Sequence, residues 1–380
     1  MYQLKINELS EQAFLNQYWQ KKPLLIKRGF SDFKDPLDAN ELAGLAMEDS
    51  IESRIITNHN QQWQSHQGPF EDFEILTDEH STLLVQAVDH WHPEAAQLLE
   101  PFRFIPNWRI DDLMISYSTP GGGVGPHLDQ YDVFIIQGEG KRHWRVGLPD
   151  ASLKQFAQNK SLLQVEAFTA VIDCVLEPGD ILYIPPGCPH EGYAIENALN
   201  YSVGFRAPNQ QDLLSSFADH IIDTESGQKR YTDHTLTLRD SKGELTQSEV
   251  NKVKTLLQAL IENDSLFKNW LGNTLSQPKH DMDLAPEENP FSTAEIMQQL
   301  ENNVTFERLG GTRAIYQCID DKLLLSVNGE NYPLSLSDLE AVKQLTDFIE
   351  FDGSMLNSTT PSLDFIETFT TLVNEGIWFS

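Results

Sequence analysis

The chain has 380 residues, 40% of them hydrophobic and 10% aromatic, enough apolar side chain for two or three domains with cores of their own. Its 57 acidic and 27 basic residues leave a net charge of −30, which repels phosphate backbones, argues against direct nucleic-acid binding and suits a strongly basic protein partner. No apolar run reaches the roughly 18 residues of a membrane helix, "MYQLKINELSEQAF" lacks a signal-peptide pattern, and Cys174, Cys188 and Cys318 show no paired spacing, so a cytoplasmic protein with no membrane partner is expected.

Residues 1 to about 90 mix short helical and extended patterns, and in "YWQKKPLLIKRGF" Leu24, Leu25 and Ile26 read as a buried strand between basic flanks. From about 108 to 206 the chain turns to short strands broken by Gly and Pro: "DDLMISYS", "YDVFIIQ", "RHWRVG", "AVIDCVLEPGDILYIP" and "NYSVGF". Their close spacing predicts a β-sandwich or barrel. After "FRAPN", "QQDLLSSFADHIID" and "QSEVNKVKTLLQALIEN" place Leu213, Phe217, Val250, Val253, Leu257 and Leu260 at helical spacing. "QPKHDMDLAPEENP" reads as a polar linker. Beyond it a helix at "TAEIMQQLEN", strands at "VTFERL", "RAIYQCI" and "KLLLSVNG", and helices at "LSDLEAVKQLTDFI" and "SLDFIETFTTLVNEG" have the content of a winged-helix-type module. Residues 281 to 380 carry 18 acidic and four basic residues, the wrong sign for reading DNA, so this module is read as a protein contact.

The stretch "GGGVGPHLDQYDVF", residues 121 to 134, carries the chemistry. Its glycines run into Pro126 and a β-rich segment instead of a helix N-terminus, which excludes a phosphate cradle and reads as a turn opening a strand. Residues i and i+2 of a strand share a face, so His127 and Asp129 would project together as two ligands of a metal. In "EPGDILYIPPGCPH", Gly179, Pro185, Gly187 and His190 are spaced as in the second motif of the cupin superfamily, whose histidine binds metal. The first stretch resembles the other cupin motif but has Asp129 for its second histidine and Val133 for its glutamate. Two histidines and one carboxylate form the ligand set of non-haem Fe(II) oxygenases. His127, Asp129 and His190 thus resemble the triad of JmjC-type 2-oxoglutarate oxygenases. Cys188 is read as a packing residue.

That resemblance implies a cation for the far carboxylate of 2-oxoglutarate. In "QGEGKRHWRVG", Arg142, Trp144 and Val146 share the more apolar face and Lys141, His143 and Arg145 the other, which favours Arg142 as the interior, bidentate partner. Ser116, sharing a face with Asp112 and Met114, and Asn200, sharing one with Ser202, are further candidates for the same carboxylate.

"WQKKPLLIKRGF", "LMISYSTPGGGVGPHLDQYDVFIIQG", "PGDILYIPPG" and "NYSVGFRAPN" resemble the bacterial ribosomal oxygenases of the YcfD type. The resemblance implies a mixed α and β fold: a double-stranded β-helix (cupin/JmjC) barrel, a helical dimerisation segment and a C-terminal winged helix. The corresponding boundaries are 1–208 for the catalytic domain with its N-terminal flank (barrel core about 94–208), 209–275 for the helices of a homodimer and 285–380 for the winged helix. The implied activity uses Fe(II), with 2-oxoglutarate and O2 as cosubstrates, to hydroxylate an arginine β-carbon in large-subunit ribosomal protein sixteen. No catalytic side chain beyond the metal ligands is implied. A guanidinium entering a dry cleft needs an anion, and Asp112 is the best placed, with Met114 along the aliphatic stem and Tyr131 as an aromatic wall. The alternatives are a histidine hydroxylase of another ribosomal protein and a non-enzymatic metal-binding cupin.

Overall fold

A computed structural model describes residues 2–59, 62–159, 162–280, 282, 284–319, 321–356 and 361–380. Backbone contacts divide the chain into two units: residues 1–207 with 279–282, and residues 208–278 with 283–380. Among the described residues no helix is long and apolar enough to cross a membrane.

The first unit is built on thirteen described strands. They are β1 (Leu24–Ile26), β2 (Ser53–His59), β3 (Gln62–Gln67), β4 (Ser81–Val85), β5 (Ile110–Ser118), β6 (Val133–Gln137) and β7 (Arg142–Gly147), followed by β8 (Gln155–Asn159), β9 (Leu162–Val165), β10 (Ala170–Leu176), β11 (Ile181–Ile184), β12 (His190–Ala194) and β13 (Ala198–Phe205). Eight of them form one sheet in the order β1-β11-β6-β13-β5-β4-β2-β3, and β10-β7-β12 form a second. Sequence alternation decides which face each side chain takes. Phe134 and Ile136 of β6 enter the large core behind the eight-stranded sheet, where Phe14, Leu42 and Phe102 are also buried. Val133 and Ile135 face the other way, into a smaller core with Trp144, Val146, Leu176, Leu182 and Cys188. β6 is therefore buried on both sides, which its unbroken apolar sequence reflects.

Helices α1 (Glu11–Gln17) and α2 (Ala39–Leu45) contribute Phe14 and Leu42 to the large core and are capped by Ser10 and Asp38, whose side chains accept backbone N–H bonds of the first turn. A single helical turn, α3 (Pro93–Ala96), follows β4. The sheet extends beyond the expected barrel core, because β1 to β4 lie before residue 94 and add to both ends of its strand order.

In the second unit α4 (Gln210–Asp223), α5 (Gln247–Ile261) and α6 (Asp264–Ser276) precede α7 (Thr293–Glu301), α8 (Leu339–Asp347) and α9 (Leu363–Asn374). The strands are β14 (Phe306–Arg308), β15 (Ala314–Ile319), β16 (Lys322–Val327), β17 (Glu330–Ser335), β18 (Glu350–Phe351) and β19 (Trp378–Phe379), in the sheets β15-β16-β17 and β18-β14-β19. A boundary between a helical segment ending at 275 and a module starting at 285 does not describe this unit. Gln317 and Asn331 donate to the carbonyls of Lys268 and Asn269 at 2.9 Å each, and Gly272 lies so close that an added Cβ would stand 2.3 Å from the Ser326 hydroxyl, so α6 is seated on the β15–β17 sheet. The apolar stripe of the helices is divided. Phe217 is buried against Trp270, ring centroids 4.9 Å apart, whereas α5 buries none of its residues and leaves Val253 and Leu257 exposed.

Candidate active site

The glycine run does not open a strand. Residues 121 to 123 lie along the edge of β12: Gly121 donates to the Ala194 carbonyl at 2.8 Å, Ala194 donates to that of Gly122 at 2.9 Å, and Gly123 bridges Tyr193. Side chains are excluded by this approach, since a Cβ on Gly123 would stand 2.3 Å from the Gly192 carbonyl oxygen. His127 then forms an isolated two-residue bridge with His190, each donating its amide to the other's carbonyl at 2.9 and 2.8 Å. β6 begins only at Val133, so Asp129 and Tyr131 sit in a loop instead of on the expected metal-bearing strand. The physical reason is the bridge itself: pairing His127 with the start of β12 spends its backbone bonds away from β6. Gly187, at φ +76°, donates to the Asp129 carbonyl at 2.7 Å and ties the second motif to the first.

The bridge sets the two imidazoles side by side, ring centroids 4.2 Å apart. The Asp129 carboxylate comes within 3.9 Å of His127 Nε2 and 3.6 Å of His190 Nε2, and one ligand atom from each of the three residues lies within 4.8 Å of the others. Each Nδ1 is paired with a backbone carbonyl, His127 with Gly125 at 2.9 Å and His190 with Cys188 at 3.0 Å. With Nδ1–H donating there, both Nε2 lone pairs point at the shared centre, the tautomer a metal requires. Burial, and secondarily the neighbouring His127, push the His190 imidazole down to about 4, which keeps it neutral. The donor set and its outer bonds fit a divalent metal with open positions.

The triad opens into a cavity of about 240 Å3. β7 sends Arg142 and Trp144 into it, while the basic and imidazole side chains that alternate with them are paired elsewhere: Lys141, just before β7, with Glu177 at 2.7 Å, His143 with Asp173 at 2.7 Å and Arg145 with Glu191 at 2.6 Å. Arg142 is buried, donates to Asn200 Oδ1 at 3.1 Å and to the Ser116 hydroxyl at 3.3 Å, and has no carboxylate partner among the described residues. Its Nε and the neighbouring Trp144 Nε1 are buried without any partner. Burial alone lowers this guanidinium to about 10, leaving it charged at neutrality. A buried cation that lacks both an anion and a bond at Nε is the signature of a site for a carboxylate ligand. Asn200 is held in turn by Gln137, to whose Oε1 it donates at 2.9 Å.

Asp112, Met114 and Ser116 all line the cavity, as alternation along β5 requires. Tyr131 lines it too, half exposed at its loop position. Asp112 is buried, accepts the Ala87 amide at 3.0 Å and pairs with Lys279 at 3.0 Å. Burial raises its carboxyl above the ordinary range, and Lys279 works in the opposite direction. Sequence reasoning missed Lys279, which it placed in a linker, and Arg54, which lines the same cavity from β2. A lone lysine in a polar stretch gives no signal of a partner 168 positions away in sequence.

The JmjC domain family matches residues 97–213, which contain the triad and every candidate residue around it, and the ROXA-like winged-helix family matches residues 259–379. The "Ribosomal protein uL16 3-hydroxylase" of Escherichia coli K12 is 46% identical over 378 residues, covering 100% of this chain and 99% of the relative. This chain belongs to the ribosomal oxygenase family. A "Probable ribosomal oxygenase" of Haemophilus influenzae is 30% identical, covering 97% of this chain and 94% of its own. The crystal structure of E. coli YcfD superposes with a TM-score of 0.91 at 46% identity, covering 100% of this chain and 99% of that one. Another YcfD structure, with a TM-score of 0.89 at 45% identity and the same coverage, holds cobalt and 2-oxoglutarate. The ribosomal oxygenase fold thus covers both units, and the winged-helix match begins inside α5, consistent with α6 belonging to that module.

Proposed function

We propose that this ribosomal oxygenase hydroxylates an arginine side chain of the ribosomal protein uL16, with Fe(II), 2-oxoglutarate and O2. The observation that carries the reading is the meeting, in one cavity, of a two-histidine, one-carboxylate triad with a buried, anion-free Arg142. His127 and His190, through Nε2, and Asp129, through its carboxylate, would hold the iron. When bound, iron(II) supplies the oxygen activation that hydroxylation of an unreactive C–H bond needs.

The side chains supply binding, orientation and dryness. Arg142 receives the far carboxylate of 2-oxoglutarate on its fork, with Ser116 and Asn200 fixing the guanidinium from one side and Trp144, 5.3 Å away, from another. Trp144, Val133 and Ile135 exclude water from that end of the cavity. Asp112, Met114 and Tyr131 form the arginine slot: the carboxylate meets the guanidinium, the thioether covers the stem and the ring walls the entrance. A net charge of −30 favours a basic ribosomal protein over nucleic acid. The exposed Val253 and Leu257 stripe of α5 supports a homodimer formed through the helical segment 209–275.

The test is succinate release from 2-oxoglutarate, dependent on Fe(II), in the presence of an arginine-containing uL16 peptide and of the same peptide with lysine or histidine in its place. Coupled turnover with the arginine peptide alone supports the assignment, and equal turnover with all three removes the slot.

A further inference from the structure

Lys279 follows α6 yet belongs to the first unit, where its Nζ lies 2.8 Å from Asp111 Oδ2 and 3.0 Å from Asp112 Oδ1. All three residues line the cavity that contains the triad. Asp111 also meets Arg206, at 3.3 Å, whereas Asp112 has no cation but Lys279 within ion-pair distance among the described residues. Asp112 is buried at a position that β5 aims into the cavity, and the lysine head reaches it on a partly exposed, flexible stem. Burying the Asp112 carboxylate carries a desolvation cost, and the Lys279 ammonium offsets part of it.

We infer that Lys279 is a tethered counter-ion of the substrate slot, which an incoming arginine displaces from Asp112 and which a lysine or histidine side chain does not. This rests on the reading of Asp112 as the arginine's partner. The discrimination follows from the geometry of the two cations. An ammonium gives each carboxylate one bond, as Lys279 does with Asp111 and Asp112. A guanidinium gives a single carboxylate two parallel bonds, so it gains more at Asp112 than the departing lysine loses. An external lysine would exchange one ammonium for another and gain nothing, while losing the advantage of the tether. Lys279 therefore acts as a filter on side-chain chemistry, and its displacement weakens arginine binding by a fixed factor.

The experiment measures Lys279→Met and, as a second variant, Lys279→Gln, with arginine and lysine forms of a uL16 peptide. Peptide affinity is read by fluorescence anisotropy on cobalt(II)- and 2-oxoglutarate-loaded protein, and KM and kcat on the iron enzyme. The expected result is a Kd and KM for the arginine peptide lowered roughly tenfold, on the scale set by one partly buried charge pair, with the effect on KM and not kcat. The lysine peptide gains measurable affinity in both variants. Unchanged or weakened arginine binding by folded variants overturns the filter. Asp112→Asn, run beside them, separates the two claims. If it leaves arginine affinity intact, the slot itself is misassigned and the filter falls with it; if it weakens arginine binding while Lys279→Met does not strengthen it, only the filter falls.

Discussion

Replacing Arg142 with methionine removes one charge from the cavity and leaves a stem of similar length. In the ligand-free protein the substitution deletes bonds to Asn200 Oδ1, the Ser116 hydroxyl and the Gly192 carbonyl, at 3.1, 3.3 and 3.5 Å, together contributing about 2 kcal/mol. It also relieves the burial of a guanidinium that has no anion and no partner at Nε, a gain of similar size. The two effects offset, so the melting temperature without cosubstrate moves little. With 2-oxoglutarate the balance changes, because a carboxylate docked on the fork makes charge-assisted bonds whose truncation costs on the order of 2–5 kcal/mol. The 2-oxoglutarate Kd and KM then rise by at least about 30-fold, while metal affinity is retained. The assay is a 2-oxoglutarate titration of thermal shift and of turnover, beside Lys141→Ala and Arg145→Ala, whose side chains pair with Glu177 and Glu191 on the other face of β7. Wild-type cosubstrate dependence in folded Arg142→Met, or a larger loss in either control, would refute the reasoning.

Asp129→Ala removes the only anionic ligand of the triad, and turnover is expected to vanish while circular dichroism and melting stay close to wild type; measurable coupled turnover with iron controlled contradicts the ligand set. Asp112→Asn is expected to raise the KM for an arginine peptide by about tenfold or more, with 2-oxoglutarate dependence unchanged, on the scale of a lost buried charge pair; kinetics on peptide and cosubstrate in parallel check it. In the metal-free protein, His190 is pushed down to about 4 from an unfolded value of about 6.5. Stability is therefore greatest above that unfolded value and falls as pH drops toward 4, because the unfolded chain takes up a proton the native site refuses; chemical denaturation across that window, compared with His190→Gln, reads the difference. Light scattering at micromolar concentration is expected to give a dimer, and Leu257→Glu, on the exposed stripe of α5, to give a monomer.

Much of the barrel was legible because alternation and Gly–Pro turns are local signals: "VFIIQ" and "RHWRVG" became β6 and β7 with the faces their patterns require. The orientation of Arg142 followed from alternation along β7, whereas the triad was legible through the resemblance of its two motifs to the cupin and JmjC pattern. What remained hidden depends on pairing across the chain. The glycine run lies against β12, and His127 pairs with His190, so Asp129 and Tyr131 lie in a loop that period-two reasoning turned into a strand. "HEGYA" is too polar to announce β12. Lys279 and the seating of α6 on the β15–β17 sheet arise from contacts between segments distant in sequence, which composition and periodicity do not encode.

The proposed role of the triad and Arg142 is the hydroxylation of a uL16 arginine. Its most direct test is mass spectrometry of purified uL16 incubated with the protein, Fe(II), 2-oxoglutarate and air. The expected product is uL16 with one added oxygen atom on one arginine side chain, absent without 2-oxoglutarate and absent with Asp129→Ala. Unmodified uL16, from protein shown in the same sample to bind both iron and 2-oxoglutarate, would contradict it.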